Sequence, residues 1–522
     1  IAACAYMLPV ALAPRRGHAV RGALVALVVV AGSLAWTAHQ ARALDASPAV
    51  TRAIERAPLG RISLAVLRRA TDRDHDGFSP YFGGGDCDDH DPRRNPQAFD
   101  VPGNGIDEDC SGSDAPLPPP PAPPPAPPKV TLPSDLNLIL VTVDTLRPDC
   151  GFAGYDKDTT PNLDALAKKS VIFDRAYSLA SYTGKSVGPL LIGKYPSETD
   201  RDGGHFNKYA PKNVFVAERL HDAGVRTFGG ASHWYFNWWS GLSQGMDVWD
   251  LSAKPNEGQG ENDTSITSDK LSDAALRLLK DPKNTGGRFF AWFHYFDPHE
   301  QYMPHEGAPD FLGDAKGANA RQRALYDGEV WFTDRNLGRV LDYVASQDWG
   351  KRTAIIVTAD HGEAFGEHDM NWHGIELWEV LVHVPLLVYV PGAEPHHVTE
   401  KRSAIDLVPT ILDLFGVAQP PAGELSGRSM IDDLLDKPPY EKRDIYIDMP
   451  AGPYNYMRKA FITGDMKLIY SGGKSYQLYD LATDPEEKTD LASDPDKLAP
   501  VVKAFEQKRA EMHEIDVKPD AP

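Results

Sequence analysis

The stretch Leu136-Asn-Leu-Ile-Leu-Val-Thr-Val143-Asp144 decides the fold. It is an almost continuous apolar run closed by a carboxylate. A strand with one wet face alternates apolar and polar residues. A run apolar throughout suits a strand buried on both faces, as in a parallel sheet covered by helices. Three more runs repeat the pattern: Arg288–Phe296 before Asp297-Pro298-His299, Thr353–Ala359 before Asp360-His361, and Val384–Val390 before Pro391-Gly392. Helical patterns lie between them, such as Pro161–Lys169 with Thr160 as N-cap and Pro161 at the first helical position. The alternation predicts an α/β domain.

In open α/β sheets ligands bind beyond the carboxyl ends of the strands. Three of the four runs end there in Asp or His, and Asp144, Asp360 and His361 offer hard oxygens and an imidazole to a divalent cation. Between the first two strand ends lies Ala180-Ser-Tyr-Thr-Gly-Lys-Ser-Val-Gly-Pro-Leu-Leu-Ile-Gly-Lys-Tyr-Pro196. Gly184-Lys185-Ser186 invites a P-loop reading, but that motif requires glycine at 179, where this chain has Leu. The better reading is a nucleophilic hydroxyl at a helix N-terminus, where unspent backbone N–H groups hold an anion.

Outward from this core the composition divides the chain. The 522 residues carry a formal charge of -20, and 42% are hydrophobic, which excludes global disorder. The charge argues against a general nucleic-acid binder, which shows a basic patch or stripe. Residues 71–114 hold twelve acidic side chains against three basic ones, so nearly half of the excess sits in one short segment. There Asp72-x-Asp74-x-Asp76-Gly77 has the spacing of the first half of an EF-hand-like calcium loop, without its closing glutamate. Asp86, Asp88, Asp89 and Asp91 follow, then Asp107 and Asp109 beside Cys110. Cys87 and Cys110 are read as a disulfide of an oxidising compartment, and Cys150 as an inert buried thiol. The segment resembles the Asp/Cys-rich metal-binding motifs of bacterial surface proteins and type-3 thrombospondin repeats. Calcium would then serve as the core of a segment too polar to fold by apolar burial.

Residues 116–128 contain ten prolines, a spacer of ~40 Å if fully extended at about 3.1 Å per residue. At the other end, Arg15, Arg16 and Arg21 precede the apolar run Gly22–Ala38 and the small-x-small site Ala41-Arg42-Ala43. This reads as a signal peptide or an uncleaved membrane anchor, and either implies an exported chain, periplasmic, cell-surface or secreted. The expected division is therefore 1–43 signal or anchor, 44–70 linker or helix, 71–114 acidic module, 115–133 proline-rich linker, 134–420 catalytic domain and 421–522 C-terminal subdomain.

The ordered motifs of the large module resemble the sulfatase family of the alkaline phosphatase superfamily. They are Val143-Asp-Thr-Leu-Arg147, Thr160–Ala167, Phe296-Asp-Pro-His299, Asp360-His-Gly-Glu363 with Gly366-Glu-His368, Trp372-His-Gly374, and Leu478-Tyr-Asp-Leu481 with Asp484-Pro-Glu486. The resemblance implies an alkaline-phosphatase-like, mostly parallel sheet covered by helices on both faces, followed by a small C-terminal α+β subdomain. The family signature, Cys or Ser-x-Pro-Ser-Arg followed by Thr-Gly, departs here. Thr183 falls on the nucleophile, Lys185 replaces the proline and Val187 the arginine. Thr cannot be oxidised to the formylglycine aldehyde. Thr145 replaces the second Asp of an Asp-Asp pair, and His361 the Asn of an Asp-Asn pair. Asp144, Thr183, Asp360 and His361 thus resemble the metal set of superfamily members that use a threonine alkoxide on phosphoesters. Calcium suits the oxygen-rich family site, and His361 shifts the preference toward manganese or zinc.

The resemblance also places His299 and His373 on the transferred group or leaving oxygen, or else on a second metal with Asp297. Lys185 is either a cation for the anionic group or a surface residue, and Glu363 and His368 support the ligands. Ser232–Trp239 stacks on a sugar or aryl group, or packs in the core. His205, His305, His396 and His397 default to the surface. The expected function is an exported metal-dependent hydrolase of sulfate or phosphate esters, glycan- or lipid-linked, with phosphoesters favoured. The alternatives are a phosphotransferase acting on envelope glycans or lipids, and a non-catalytic calcium-dependent surface binding protein.

Overall fold

The computed structural model describes residues 44, 48–117, 133–255 and 266–517. The segment Gly22–Ala38 with its arginines, the site Ala41–Ala43 and most of the proline-rich stretch lie outside these residues. Among the described residues no helix is long and apolar enough to cross a membrane. The chain forms two compact units: one runs to Ala115 and takes in Gly472–Ser475, the other comprises Pro116–Ser471 and Tyr476 onward.

In the smaller unit, α1 (Pro48–Arg56) and α2 (Pro58–Thr71) precede a stretch of turns and bends as far as Ala115. Among the described residues its buried apolar cluster is Leu64 and Phe82, with Leu44 and Ile54 against them. Aspartates do the ordering instead. Asp72 accepts the His75 and Gly77 N–H groups at 2.7 and 3.1 Å, and Asp107 those of Ser111 and Gly112 at 3.0 and 2.9 Å. Gly77, at φ 97°, supplies the left-handed turn this requires. Cys87 and Cys110 are disulfide-bonded.

The larger unit is built on strands β1 (Asn137–Val143), β2 (Val171–Tyr177), β3 (Arg226–Ala231), β4 (Val248–Asp250), β5 (Phe289–Tyr295) and β6 (Thr353–Ala359). The β-ribbon β7 (Ala364–Phe365) and β8 (Asn371–Trp372) follows, then β9 (His383–Tyr389), β10 (His396–Val398) and β11 (Arg402–Ser403). The main sheet runs β10-β2-β9-β6-β1-β5-β3-β4, with β11 also on β2. β1, β5 and β6 are buried at every position, as their unbroken apolar runs predict. Alternate residues of β1 face opposite cores. Leu138 and Leu140 meet α4 (Thr183–Ile192), α5 (Val216–Asp222) and α8 (Leu407–Phe415). Ile139, Val141 and Val143 meet α3 (Pro161–Ala167), α6 (Ser268–Lys280) and α7 (Ala318–Ser346).

The sheet is mostly parallel, but the fourth apolar run, β9, runs antiparallel to both β2 and β6. Burial on two faces specifies apolarity, not direction. From the carboxyl end of β6 the chain passes through the β7–β8 ribbon and enters β9 from the same end, so no crossover helix is needed. A second, antiparallel sheet of β12 (Ile445–Met449), β13 (Arg458–Thr463), β14 (Met466–Tyr470) and β15 (Tyr476–Asp480) forms the C-terminal subdomain. Helix α9 (Pro495–Arg509) buries Val501 and Phe505 in the same cluster as Tyr446, Phe461 and Tyr470 of that sheet.

Candidate active site

Register puts the chemistry at one level. Val143 pairs with Tyr295 on one side and Ala359 on the other, so Asp144, Phe296 and Asp360 leave the carboxyl ends of three adjacent strands together. Thr183 opens α4 after extended Tyr182 (φ -153°, ψ 129°), and the helix delivers it to the same place. Val187, Leu190 and Leu191 anchor α4 in the core, at roughly 1.5–3 kcal/mol per buried side chain. Two glycines let it pack closely. A Cβ at Gly184 would meet the Tyr182 ring at 2.8 Å, and one at Gly188 the Tyr209 ring at 2.3 Å.

Thr183 Oγ1 lies 3.0 Å from His361 Nε2 and 3.4–3.5 Å from the two Asp144 oxygens. His361 Nε2 is 3.5 Å from Asp144 and 3.6 Å from Asp360 Oδ2. Its Nδ1 sits 3.0 Å from the Gly362 carbonyl, which fixes the ring with Nε2 turned inward. Burial, reinforced by His373, pushes the His361 imidazole down to about 3, so it is neutral. Burial and the facing Asp144 hold Asp360 well above the carboxylate range. Burial raises Asp144 too, but hydrogen bonding from His294 leads the opposing effects, which leave it lowered.

Ligand atoms of Asp144, Asp360 and His361 lie within 4.8 Å of one another, and buried Asp360 Oδ2 has no hydrogen-bond partner. A buried carboxylate oxygen left unsatisfied is expensive. With two hard oxygens, a hydroxyl and a neutral imidazole converging, the donor set fits a divalent cation.

Around this centre, His373 Nδ1 is 3.0 Å from Glu363 Oε1, and Tyr302 Oη donates to Glu363 Oε2 at 2.8 Å. Burial opposes a charge on His373, but the Glu363 carboxylate outweighs it and raises the imidazole. His373 lies 4.4 Å from His361 and 4.9 Å from His299, centroid to centroid. Lys185 is buried and donates to Asn455 Oδ1.

Several residues sit elsewhere than the sequence implied. Asp297 is not free for a second metal, because it accepts the N–H groups of Thr267 and Ser268 and the Thr267 hydroxyl at the start of α6. The His305 side chain is not at the surface: its Nε2 lies 2.5 Å from buried Glu329 and its ring stacks on Phe332 at 4.0 Å. His205 is half-buried between Tyr182 and Tyr454. His368 stacks on Trp378 at 3.9 Å. The Ser232–Trp239 stretch divides: Tyr235 and Phe236 are core, whereas Trp238 is 83% exposed.

In the smaller unit, Asp72, Asp74 and Asp76 converge, as do Asp74, Asp86 and Asp89. Asp107 and Asp109 converge with Asp100, which the spacing did not single out. Asp88 and Asp91 instead pair with Arg94 and Arg93, each at 2.8 Å.

The sulfatase family profile matches residues 136–417, more than half of the chain. The chain belongs to the sulfatase family. A second profile, the C-terminal region of N-sulphoglucosamine sulphohydrolase, matches residues 366–515, and a metal-binding motif of the copper-binding MopE type matches residues 86–115. Among characterised sulfatases, mouse arylsulfatase K is 34% identical over 187 residues, 33% of this chain and 32% of that protein. The chain thus spans about a third of the length of that relative. Longer matches join this sulfatase-family chain to choline-sulfatase of Rhizobium meliloti (27% identical, 69% of this chain and 83% of the relative) and to the uncharacterized sulfatase YidJ of Escherichia coli (24%, with the same coverage).

Solved structures confirm the fold. Ps i-CgsB in complex with k-i-k-neocarrahexaose superposes with a TM-score of 0.58 at 22% identity, over 72% of this chain and 94% of that one. The phosphonate monoester hydrolase of Agrobacterium radiobacter gives 0.56 at 19% identity, over 72% and 96%.

Proposed function

We propose that the larger unit is a metal-dependent hydrolase of sulfate or phosphorus esters that uses Thr183 as its nucleophile, with phosphorus esters favoured. The observation that carries this reading is the position of Thr183 Oγ1, at a helix N-terminus, 3.0 Å from His361 Nε2 and 3.4 Å from Asp144. A divalent cation held by Asp144, Thr183, Asp360 and His361 would supply Lewis acidity, easing loss of the hydroxyl proton and polarising the ester oxygen.

With its hydroxyl proton passed to solvent, Thr183 attacks sulfur or phosphorus, the Oγ1 bond forms, and the bond to the leaving oxygen opposite breaks. That oxygen takes a proton from His373, whose Nδ1 is engaged by Glu363, or from His299. Water then attacks the Thr183 ester and restores the hydroxyl. The shared fold does not choose between sulfur and phosphorus, since neighbours of both kinds have it. Thr183 weighs on the choice. Its ester has no hydrated aldehyde from which the product group can be eliminated, so release needs a second attack on the same atom, chemistry well suited to phosphorus.

The acidic module is part of this reading as a calcium site. Asp74, Asp76 and Asp86 each hold a buried Oδ2 without a partner, and burial with repulsion from Asp76, Asp74 and Asp89 pushes Asp86 up to about 6. The test is a screen of purified protein on 4-nitrophenyl sulfate, 4-nitrophenyl phosphate, its diester and a phenylphosphonate monoester, each with Mn, Zn or Ca. Turnover of sulfate alone would overturn the phosphorus preference, and turnover unaffected by chelation would overturn the metal.

A further inference from the structure

We infer that Glu329 and His305 are positioning residues: they clamp the loop after β5 so that Tyr302 holds Glu363 against His373, the donor of a proton to the leaving oxygen. The inference rests on the ester-cleaving reading above and gives its acid a support on α7.

Three residues of α7, spaced three apart, meet the loop in order. Tyr326, Glu329 and Phe332 share one face of the helix. The Tyr326 ring meets that of Tyr302 edge-on at 5.8 Å. Glu329 Oε1 accepts the Met303 N–H at 2.5 Å, and Oε2 lies 2.5 Å from His305 Nε2. The His305 ring stacks on Phe332 at 4.0 Å with the planes 11° apart. The start of the loop is tied down as well. Tyr326 Oη donates to the Thr145 carbonyl at 2.9 Å and accepts the Arg147 N–H at 2.9 Å, while Thr145 Oγ1 donates to the Pro298 carbonyl at 2.7 Å.

The clamp grips the peptide bond that follows Tyr302. The tyrosine ring lies against Tyr326 and Phe365, and its Oη donates to Glu363 Oε2 at 2.8 Å. The other Glu363 oxygen meets His373 Nδ1 at 3.0 Å. The side chains of His305 and Glu329 are 1% and 2% exposed. Burial, then the charge of Asp297, pushes the Glu329 carboxyl up to about 9, and burial lowers His305, so the pair holds one proton and no net charge. Leucine and phenylalanine would fill the same space without the cost of burying polar atoms. What the polar pair adds is direction: two hydrogen bonds from one carboxyl group fix where a peptide sits, and apolar contact does not.

Glu329→Leu removes both bonds. His305→Phe keeps the stack on Phe332 and removes one. Tyr302→Phe cuts the link to Glu363. The assay compares a 4-nitrophenyl ester, whose leaving oxygen departs without a proton, with the phenyl ester of the same acid, which needs one. Each variant should lose about 30-fold or more in kcat on the phenyl ester and less than about threefold on the 4-nitrophenyl ester, with KM unchanged. Glu329→Gln offers one acceptor and one donor in the same shape, and should recover to within about threefold of the parent on both. Glu329→Leu combined with Tyr302→Phe should be no worse than the poorer single variant, since both act on one link. Equal losses on the two esters, or additive losses in the double variant, overturn the inference.

Hydrogen exchange reads the clamp without any substrate. By mass spectrometry, residues 298–306 should exchange at least about tenfold faster in Glu329→Leu and His305→Phe, and at the parent rate in Glu329→Gln. Parent-like exchange in both of the first two overturns the inference. If the leucine variant does not fold, His305→Phe carries both measurements. A parent that cleaves no ester, with this exchange pattern intact, would refute the ester-cleaving reading alone.

Discussion

Replacing Thr183 by alanine deletes the hydroxyl and the γ-methyl group and leaves the Asp144 and Asp360 carboxyl groups in place. The neighbouring hydroxyls cannot stand in, because Ser181 Oγ donates to the Glu376 carbonyl at 2.7 Å and Ser186 Oγ to that of Asp360 at 2.6 Å. Each would have to break a bond inside the core to reach the substrate. The loss should therefore be that of a covalent nucleophile, about 10⁴–10⁶ in kcat, or roughly 5–8 kcal/mol of barrier. Thr183→Ser keeps the oxygen and loses a methyl group, so about tenfold or less is expected. Both variants should unfold in urea within about 2 kcal/mol of the parent, since the deleted contacts amount at most to one hydrogen bond and one methyl group. Thr183→Cys should not yield an aldehyde, because Lys185 and Val187 occupy the places of the signature proline and arginine. The assay is steady-state hydrolysis at saturating metal, with mass spectrometry of acid-quenched protein to find the ester on Thr183. If the alanine variant retains turnover within tenfold, or the serine variant is as inactive as the alanine one, Thr183 is not the nucleophile.

Other outcomes follow from the same geometry. After chelation, manganese or zinc should restore activity better than calcium, because His361 presents a nitrogen ligand; equal recovery with calcium would count against that assignment. Breaking the Cys87–Cys110 link, whose cysteines are 23 residues apart, should destabilise the smaller unit by about 3 kcal/mol, measured as the shift in its urea transition on adding reductant. Burial first, then Lys185 and His373, depress His205 to about 4 from an ordinary 6.5. The unfolded chain thus binds the proton more readily, and the stability this group contributes is full above pH 6.5 and lost as pH falls toward 4. Discounted for its partial exposure, the change is about 1–2 kcal/mol and should flatten in His205→Gln, read by urea unfolding from pH 4.5 to 7. Gly188→Ala should lower both Tm and kcat, since the methyl forces α4 away from the Tyr209 ring; normal values of both would show that the helix has slack.

The fold was legible where one local rule sufficed. Unbroken apolar runs in β1, β5 and β6 predicted strands buried on both faces, and their terminal Asp and His predicted which end carries the site. What the runs did not reveal was direction, which depends on the connection into β9 rather than on any residue within it. His294 was hidden for a similar reason. It lies inside the apolar run of β5, yet its Nε2 is 3.4 Å from Asp144. Asp297 misled because a carboxylate after a strand serves a helix N-terminus as readily as a metal, and only the position of Thr267 and Ser268 decides. Tyr302 and Asn455 gave no signal, because their partners, Glu363 and Lys185, are distant in sequence.

The pairing of Lys185 with Asn455 spans 270 positions of chain. During synthesis helix α4 emerges long before the turn that orients its lysine. A chain that has folded its main sheet but not its C-terminal subdomain would already bring Thr183 to Asp144 while leaving Lys185 without its Asn455 partner. That contact closes last, so a truncated chain would keep a buried lysine with no acceptor, and the end of synthesis is what completes the packing around α4.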